Sequence, residues 1–258
     1  MEKQEKEVLD AAFLAGNILL ESGAEIFRVE ETIDRIARAY GIENYHSFVL
    51  TSGIFATYSA PDGEVFAKVK NIPISSARLN KVAAVNQLSR EIERYHYSIE
   101  QVRQRLEEIR QMSGKKSVTQ IVASGVGAGC FCYLFGGTLG DAATAFLTGA
   151  ILYCYVLFVS CRQSKIIANM SGAALVTVMS ILMFHLFPQL HLSLVVIGSI
   201  MPMLPGVAFT NGIRDIADGD YLSGTVRLLD ALLVAVCIAA GVGAVVLAYH
   251  NWLGGIML

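Results

Sequence analysis

The chain has 258 residues, 54% of them hydrophobic, and a formal net charge of -2. Sixteen of its twenty Lys and Arg and seventeen of its twenty-two Asp and Glu precede Ser117, which leaves four bases and five acids for positions 117–258. This partition excludes a single soluble domain and predicts a polar module, 1–116, followed by a membrane module, 117–258.

The first module is nearly neutral, 16 bases against 17 acids, and offers no basic face, so nucleic acid is not an expected partner. Its start, MEKQEKEVLD, has no apolar signal-peptide core. The module is therefore expected to stay in the cytosol, with the first membrane helix acting as the insertion signal.

From residue 5 to about 21 the apolar positions Val8, Ala11, Ala12, Ala15, Ile18 and Leu19 recur at helical spacing. Ser22-Gly-Ala-Glu25 reads as a capping box opening a second helix, with Ile26, Val29, Ile33 and Ile36 inward and Gly41 ending it. The period then changes: HSFVLT, IFATYS and EVFAKVK, separated by Ser-Gly and Pro-Asp-Gly, predict a three-stranded antiparallel meander. Two more helices are expected, from about Ser76 to Tyr95 and from Ser98-x-x-Gln101 to about Met112. The expected fold class is thus a cytosolic α+β domain, helices packed with a small antiparallel sheet, ahead of an all-α membrane bundle.

Five apolar segments follow, at about 118–139, 142–161, 166–187, 190–213 and 226–251, each long enough to span the hydrocarbon as a helix. Lys115, Lys116, Arg162, Lys165, Arg214 and Arg227 all fall on one side of such a bundle. The loops on the other side, at Asp141 and at 188–191, carry no Lys or Arg. The positive-inside rule then predicts a cytoplasmic N-terminus and an external C-terminus in a bacterial cytoplasmic membrane. The glycines of Gly125-Val-Gly-Ala-Gly129 and of Gly136 to Asp141 predict close helix packing. All five cysteines, Cys130, Cys132, Cys154, Cys161 and Cys237, lie in apolar runs and read as packing residues. No metal set or cofactor motif accompanies them.

The fourth segment contains Pro202, Pro205 and Gly206, followed by Thr210, Asn211 and Arg214. A helix restarting after Gly206 would offer its positive end to a carboxylate, with Asn211 and Arg214 one turn apart to share it. The plain alternative is a kink that only shapes the bundle. In the charged connection after it, Arg227 and Asp230 share a helical face. Asp230 or Asp215 could carry a proton, or Asp230 could simply pair with Arg227. Ser22, Glu25, Arg28, Glu30 and Glu31 form a polar patch that is either a solvated helix start or a gating or solute-holding element. A Gly206 replacement by a bulky residue is expected to block solute passage.

Hydrolase signatures are absent: there is no GxSxG elbow and no HExxH. SGKKS at 113–117 lacks the upstream glycine of a phosphate loop, so gradient-driven transport is expected rather than ATP-driven transport. The competing reading is a membrane-anchored enzyme with its site in 1–116, and a third is a sensor or assembly subunit.

LLESGAEIFRVEETIDRIARAYG (Leu19 to Gly41), TSGIFATY (Thr51 to Tyr58), NIPISSARLNKVAAVNQLSREI and PMLPGVAFTNGIRDIADGDYLSGTVRLLDALL together resemble the threonine/serine exporter family over nearly the whole chain. Ending after five apolar segments, the chain is similar to one subunit of a split, two-component exporter rather than to the fused ten-span form. The resemblance implies a smaller integral membrane subunit as partner, with a homo-oligomer also open to it. It implies export of small carboxylate solutes: threonine and serine in fused members, succinate in split ones; no enzymatic activity and no cofactor are expected. The family's SGAE and R-x-E elements fall on Ser22 to Glu25 and on Arg28 and Glu30. Its LPG and NGI-x-D elements fall on Leu204 to Gly206 and Asn211 to Asp215.

Overall fold

The computed structural model describes residues 3–59, 63, 65–73, 77–114, 116–159 and 163–254. Pro61 and Asp62 of the expected turn, Ser76, Lys115, Cys161 and Arg162 lie outside the described residues. The chain folds as two units, Met1–Gly114 with Gly206–Asp230, and Lys115–Pro205 with Ala231–Leu258.

In the first unit, α1 (Lys3–Glu21) and α2 (Ile26–Ala39) bury the apolar positions their helical spacing aligns, including Leu9, Leu19, Ile26, Ile33 and Ile36. The helices approach closely at Gly16, where a Cβ would stand 2.5 Å from Ile33 Cδ1. Strands β1 (Tyr45–Leu50), β2 (Gly53–Ser59) and β3 (Val65–Asn71) form the expected meander in the order β1-β2-β3, antiparallel throughout. Ile54, Ala56 and Tyr58 alternate inward on β2 and join the core. Helices α3 (Leu79–Tyr95) and α4 (Ile99–Gln111) close it with Val85, Leu88, Ile92, Val102 and Leu106. Ser98 and Gln101 form the predicted capping box on α4.

The capping box expected at Ser22 to Glu25 does not form. Ser22 and Gly23 instead end α1: Gly23 adopts φ +73°, and Ala24 N-H donates to Leu19 O at 3.1 Å, the wrap that a left-handed glycine permits. Glu25 is the N-cap residue of α2, but its side chain makes no capping bond.

The second unit begins with α5 (Ser117–Leu134) and α6 (Leu139–Val159). They pack at small residues as predicted. A Cβ on Gly125 would meet Phe146 O at 2.8 Å, and one on Gly129 would meet Ala142 O at 2.9 Å; one on Gly127 would meet nothing within 4 Å among the described residues. Helix α7 (Lys165–Leu186) packs on α6 and on α8 (Leu192–Ile200), and α8 seats Gly198 against Ala128 and Cys132 of α5. Buried hydroxyls are satisfied inside the unit: Ser124 donates to Gly149 O, and Thr148 bonds Ser199.

The fourth apolar segment, 190–213, is broken at its prolines, as expected. After α8 a 3-10 turn at Met201–Met203 ends in extended Leu204, and the helix restarts as α9 (Gly206–Ala217). Pro205 causes the break, since it lacks an N-H and forces the preceding residue out of helical geometry. The last helix, α10, runs Tyr221–Leu253, and residues 221–230 belong to the first unit. Among the described residues, α5, α6, α7 and α10 are long and apolar enough to cross a membrane, and the interrupted α8/α9 pair makes a fifth only if it is one span. Large apolar side chains such as Val122, Phe131, Leu147, Leu182, Leu233 and Val236 point outward from these helices, as lipid-facing residues do.

Candidate functional site

The α9–α10 hairpin and the turn between α1 and α2 lock together within the first unit. The hairpin turns at Gly219, φ +97°, with Asp220 N-H donating back to Asp215 O at 2.8 Å. Its helices nearly touch at two glycines, where a Cβ on Gly224 would stand 2.5 Å from Ile216 Cγ1 and 2.7 Å from Gly212 O. This contact places Asn211, Arg214, Asp215 and Arg227 on a common side facing residues 23–26.

Four bonds then fasten the turn. Asn211 Nδ2 donates to Gly23 O at 3.2 Å, and Arg227 Nη2 donates to Ala24 O at 2.7 Å. Arg214 Nη1 lies 2.8 Å from Glu25 Oε1, and Ile26 N-H donates to Asp215 Oδ1 at 3.3 Å. Asp215 is therefore the cap of α2, supplied from 189 positions away: an anion at a helix N-terminus, where backbone N-H groups and the dipole favour it. Its other oxygen faces Arg227 Nη1 at 3.1 Å, paired by charge though not aligned for a hydrogen bond. Both side chains are buried, 1% and 7% exposed, so each neutralises a charge the other could not shed to water. Thr51 Oγ1 adds a bond to Ser223 O at 3.1 Å, which ties the β1–β2 turn to α10.

At the rim of this cluster Glu25 receives a second arginine, Arg28 Nε at 3.2 Å from Oε2. Glu25 is 15% exposed, while Arg28 and Arg214 are 45% and 56% exposed. Exposed pairs of this kind contribute about 0.2–1 kcal/mol each, whereas removing one partner of a buried pair such as Asp215–Arg227 costs about 3–5 kcal/mol. Glu30 Oε1 accepts from Val49 N-H at 3.1 Å. Burial pushes the Glu30 carboxyl up from its ordinary range; the Val49 bond opposes this, and the charges of Asp220 and Asp34 add to it.

The predicted residues thus separate. Ser22, buried, accepts from Arg78 N-H at 3.0 Å and belongs to the end of α1. Glu25, Arg28, Asn211, Arg214, Asp215 and Arg227 gather at the clamp, and Glu30 lies one turn further along α2. Thr210 sits toward the other end of α9, its hydroxyl donating to Gly206 O at 2.7 Å. Pro202 and Pro205 lie in the second unit at the break. A Cβ on Gly206 meets nothing within 4 Å among the described residues, so crowding gives no reason for a bulky residue there to act as a block. Asp230 is half-buried one turn beyond Arg227.

A second polar knot escaped the sequence reading. Asp141, fully buried in the first turn of α6, accepts from Thr138 N-H at 2.8 Å, from His191 N-H at 2.7 Å and lies 2.9 Å from His191 Nδ1. It joins the α5–α6 turn to the start of α8. The signal was Asp141 and a histidine fifty positions apart, which spacing cannot connect. Among the described residues no three His, Cys, Asp or Glu side chains gather as a metal-binding group.

The family model described as "Putative threonine/serine exporter" matches residues 10–249. A protein of Klebsiella aerogenes named "Probable succinate transporter subunit YjjP" is 24% identical over 91% of this chain and 92% of its own length. The protein of the same name from Escherichia coli K12 is 22% identical over 97% of this chain and 98% of its own length. No solved structure matches the chain.

Proposed function

From the chain's membership of the threonine/serine exporter family, whose members are multi-pass membrane transporters and not enzymes, we propose that it is the larger subunit of a gradient-driven exporter of small carboxylate solutes. The solute is a succinate-like dicarboxylate or a hydroxy amino acid, and a smaller membrane subunit completes the pathway. The relatives' names, succinate transporter subunits, support a dicarboxylate solute and a transporter of more than one subunit. The N-terminus and the α+β part lie in the bacterial cytoplasm, and the C-terminus lies outside.

The observation that carries this reading is the clamp. Two separate family elements, SGAE and NGI-x-D, meet in one cluster of two carboxylates and three arginines. A purely structural junction between helices would be met by apolar packing at lower desolvation cost. The cluster instead places cationic groups suited to carboxylates beside a hairpin whose second helix, α10, continues for 33 residues. In the proposed cycle the carboxylate is met along α9, at Gly206, Thr210, Asn211 and Arg214, and Pro202 and Pro205, which precede it in the chain, make the break after which α9 starts. Asp215 or Asp230 takes the coupling proton. Ser22, Glu25, Arg28 and Glu30 pass the change to the α+β part, which gates entry.

Efflux tests this. Cells loaded with labelled succinate, and separately with threonine, are followed with this chain alone, with the small subunit alone and with both. Efflux of one solute only when both chains are present is the expected result. Efflux by the small subunit alone would reduce this chain to an accessory role, and no efflux in any combination would remove the carboxylate assignment.

A further inference from the structure

We propose that Arg28 and Arg214 form a binding site for the carboxylate of a small solute, and that Glu25 fills this site from within as an internal competitor. The proposal rests on the exporter reading and adds to it the residues that first hold the solute and the group the solute must displace.

The two guanidinium groups come from α2 and α9 and converge on one carboxylate, Arg214 Nη1 on Oε1 at 2.8 Å and Arg28 Nε on Oε2 at 3.2 Å. Each carboxylate oxygen thus has its own arginine, the arrangement by which proteins grip a carboxylate ligand. Each guanidinium has five N-H donors, and the one contact each makes with Glu25 leaves most of that capacity for an incoming anion. Both arginines are about half exposed, so a solute reaches them without opening the core.

Glu25 is itself replaceable at this place. It stands at the N-cap of α2 without capping it, because Asp215 serves the first N-H of that helix. Its carboxylate can leave the arginines while α2 keeps its cap. A solute taking Arg214 from Glu25 breaks one of the four ties between the α1–α2 turn and α9–α10, and the three deeper ties at Gly23, Ala24 and Ile26 remain. Solute binding would thereby loosen the rim of the clamp without dismantling it.

The test uses the purified full chain in detergent and labelled succinate, with threonine in a parallel arm, read by equilibrium dialysis. Glu25→Ala removes the competitor and is expected to tighten binding about fivefold, the factor corresponding to an exposed ion pair at the upper end of its range. Adding Arg214→Gln to that variant is expected to cancel the gain. Arg28→Gln alone, a change on an exposed helix face, is expected to weaken binding in the otherwise unchanged chain. Glu25→Ala binding no tighter than the unchanged chain would overturn the proposal, as would Arg28→Gln binding equally well. If both chains together export succinate while Glu25→Ala leaves binding unchanged, the competitor site is wrong and the exporter reading stands. Tighter binding by Glu25→Ala with no efflux in any combination would leave the site and remove the export of these two solutes.

Discussion

Asp215→Ala is expected to destabilise the full chain by about 3–5 kcal/mol, the loss that follows when one partner of a buried ion pair is removed. Arg227, 7% exposed, would keep its charge with no carboxylate beside it, and Ile26 N-H would lose its acceptor at the start of α2. Asp215→Asn separates the two effects: it retains an acceptor for Ile26 N-H but no longer neutralises Arg227, so its loss should be smaller than that of Asp215→Ala. The double change Asp215→Asn with Arg227→Met removes the stranded charge and should recover stability relative to Asp215→Asn alone. Thermal unfolding of the purified chain in detergent reads all three. An Asp215→Ala midpoint equal to that of the unchanged chain would mean that the buried pair does not hold the α9–α10 hairpin to the α1–α2 turn.

Gly224→Val is the second large effect expected, about 3 kcal/mol from overpacking. The added Cβ would fall 2.7 Å from Gly212 O and 2.9 Å from Ile216 N, both backbone atoms that cannot rotate aside. The hairpin must part, and Asp215 and Arg227, held on its two arms, must part with it. Gly224→Ala should be milder, because alanine's better helix propensity returns up to about 1 kcal/mol. Gly243→Ala, further along α10 where a Cβ meets nothing within 4 Å among the described residues, serves as the control and should be neutral or slightly stabilising. Similar unfolding midpoints for Gly224→Val and Gly243→Ala would contradict the close crossing.

Much of the first unit was legible because its determinants are local. The alternation of β2, the helical spacing of α1 and the Ser98–Gln101 box each act over a few residues. Ser22 to Glu25 was misread for a physical reason. Ser-x-x-Glu spells a capping box, yet the glycine at its second position enables a left-handed turn that ends the preceding helix first. The true cap, Asp215, comes from a distant segment, and no periodicity relates it to Ile26. The proline break was visible in Pro202 and Pro205, but the grouping of 206–230 with the amino-terminal elements was not, since it depends on the ties of Asn211, Arg214, Asp215 and Arg227 to residues 23–26. Arg214 was singled out from its spacing to Asn211. The structure shows both residues turned to the α1–α2 turn, where Glu25 gives Arg214 a carboxylate partner.

Labelled-succinate efflux from cells carrying the small subunit together with either the unchanged chain or Arg214→Gln is the decisive measurement, with membrane insertion of both forms checked by fractionation. Arg214 is more than half exposed, so its replacement should leave folding and insertion intact. A carboxylate exporter working through this cluster loses efflux in Arg214→Gln while the protein remains in the membrane at its usual level. Equal efflux from the two forms would contradict it and take the clamp out of the transport path.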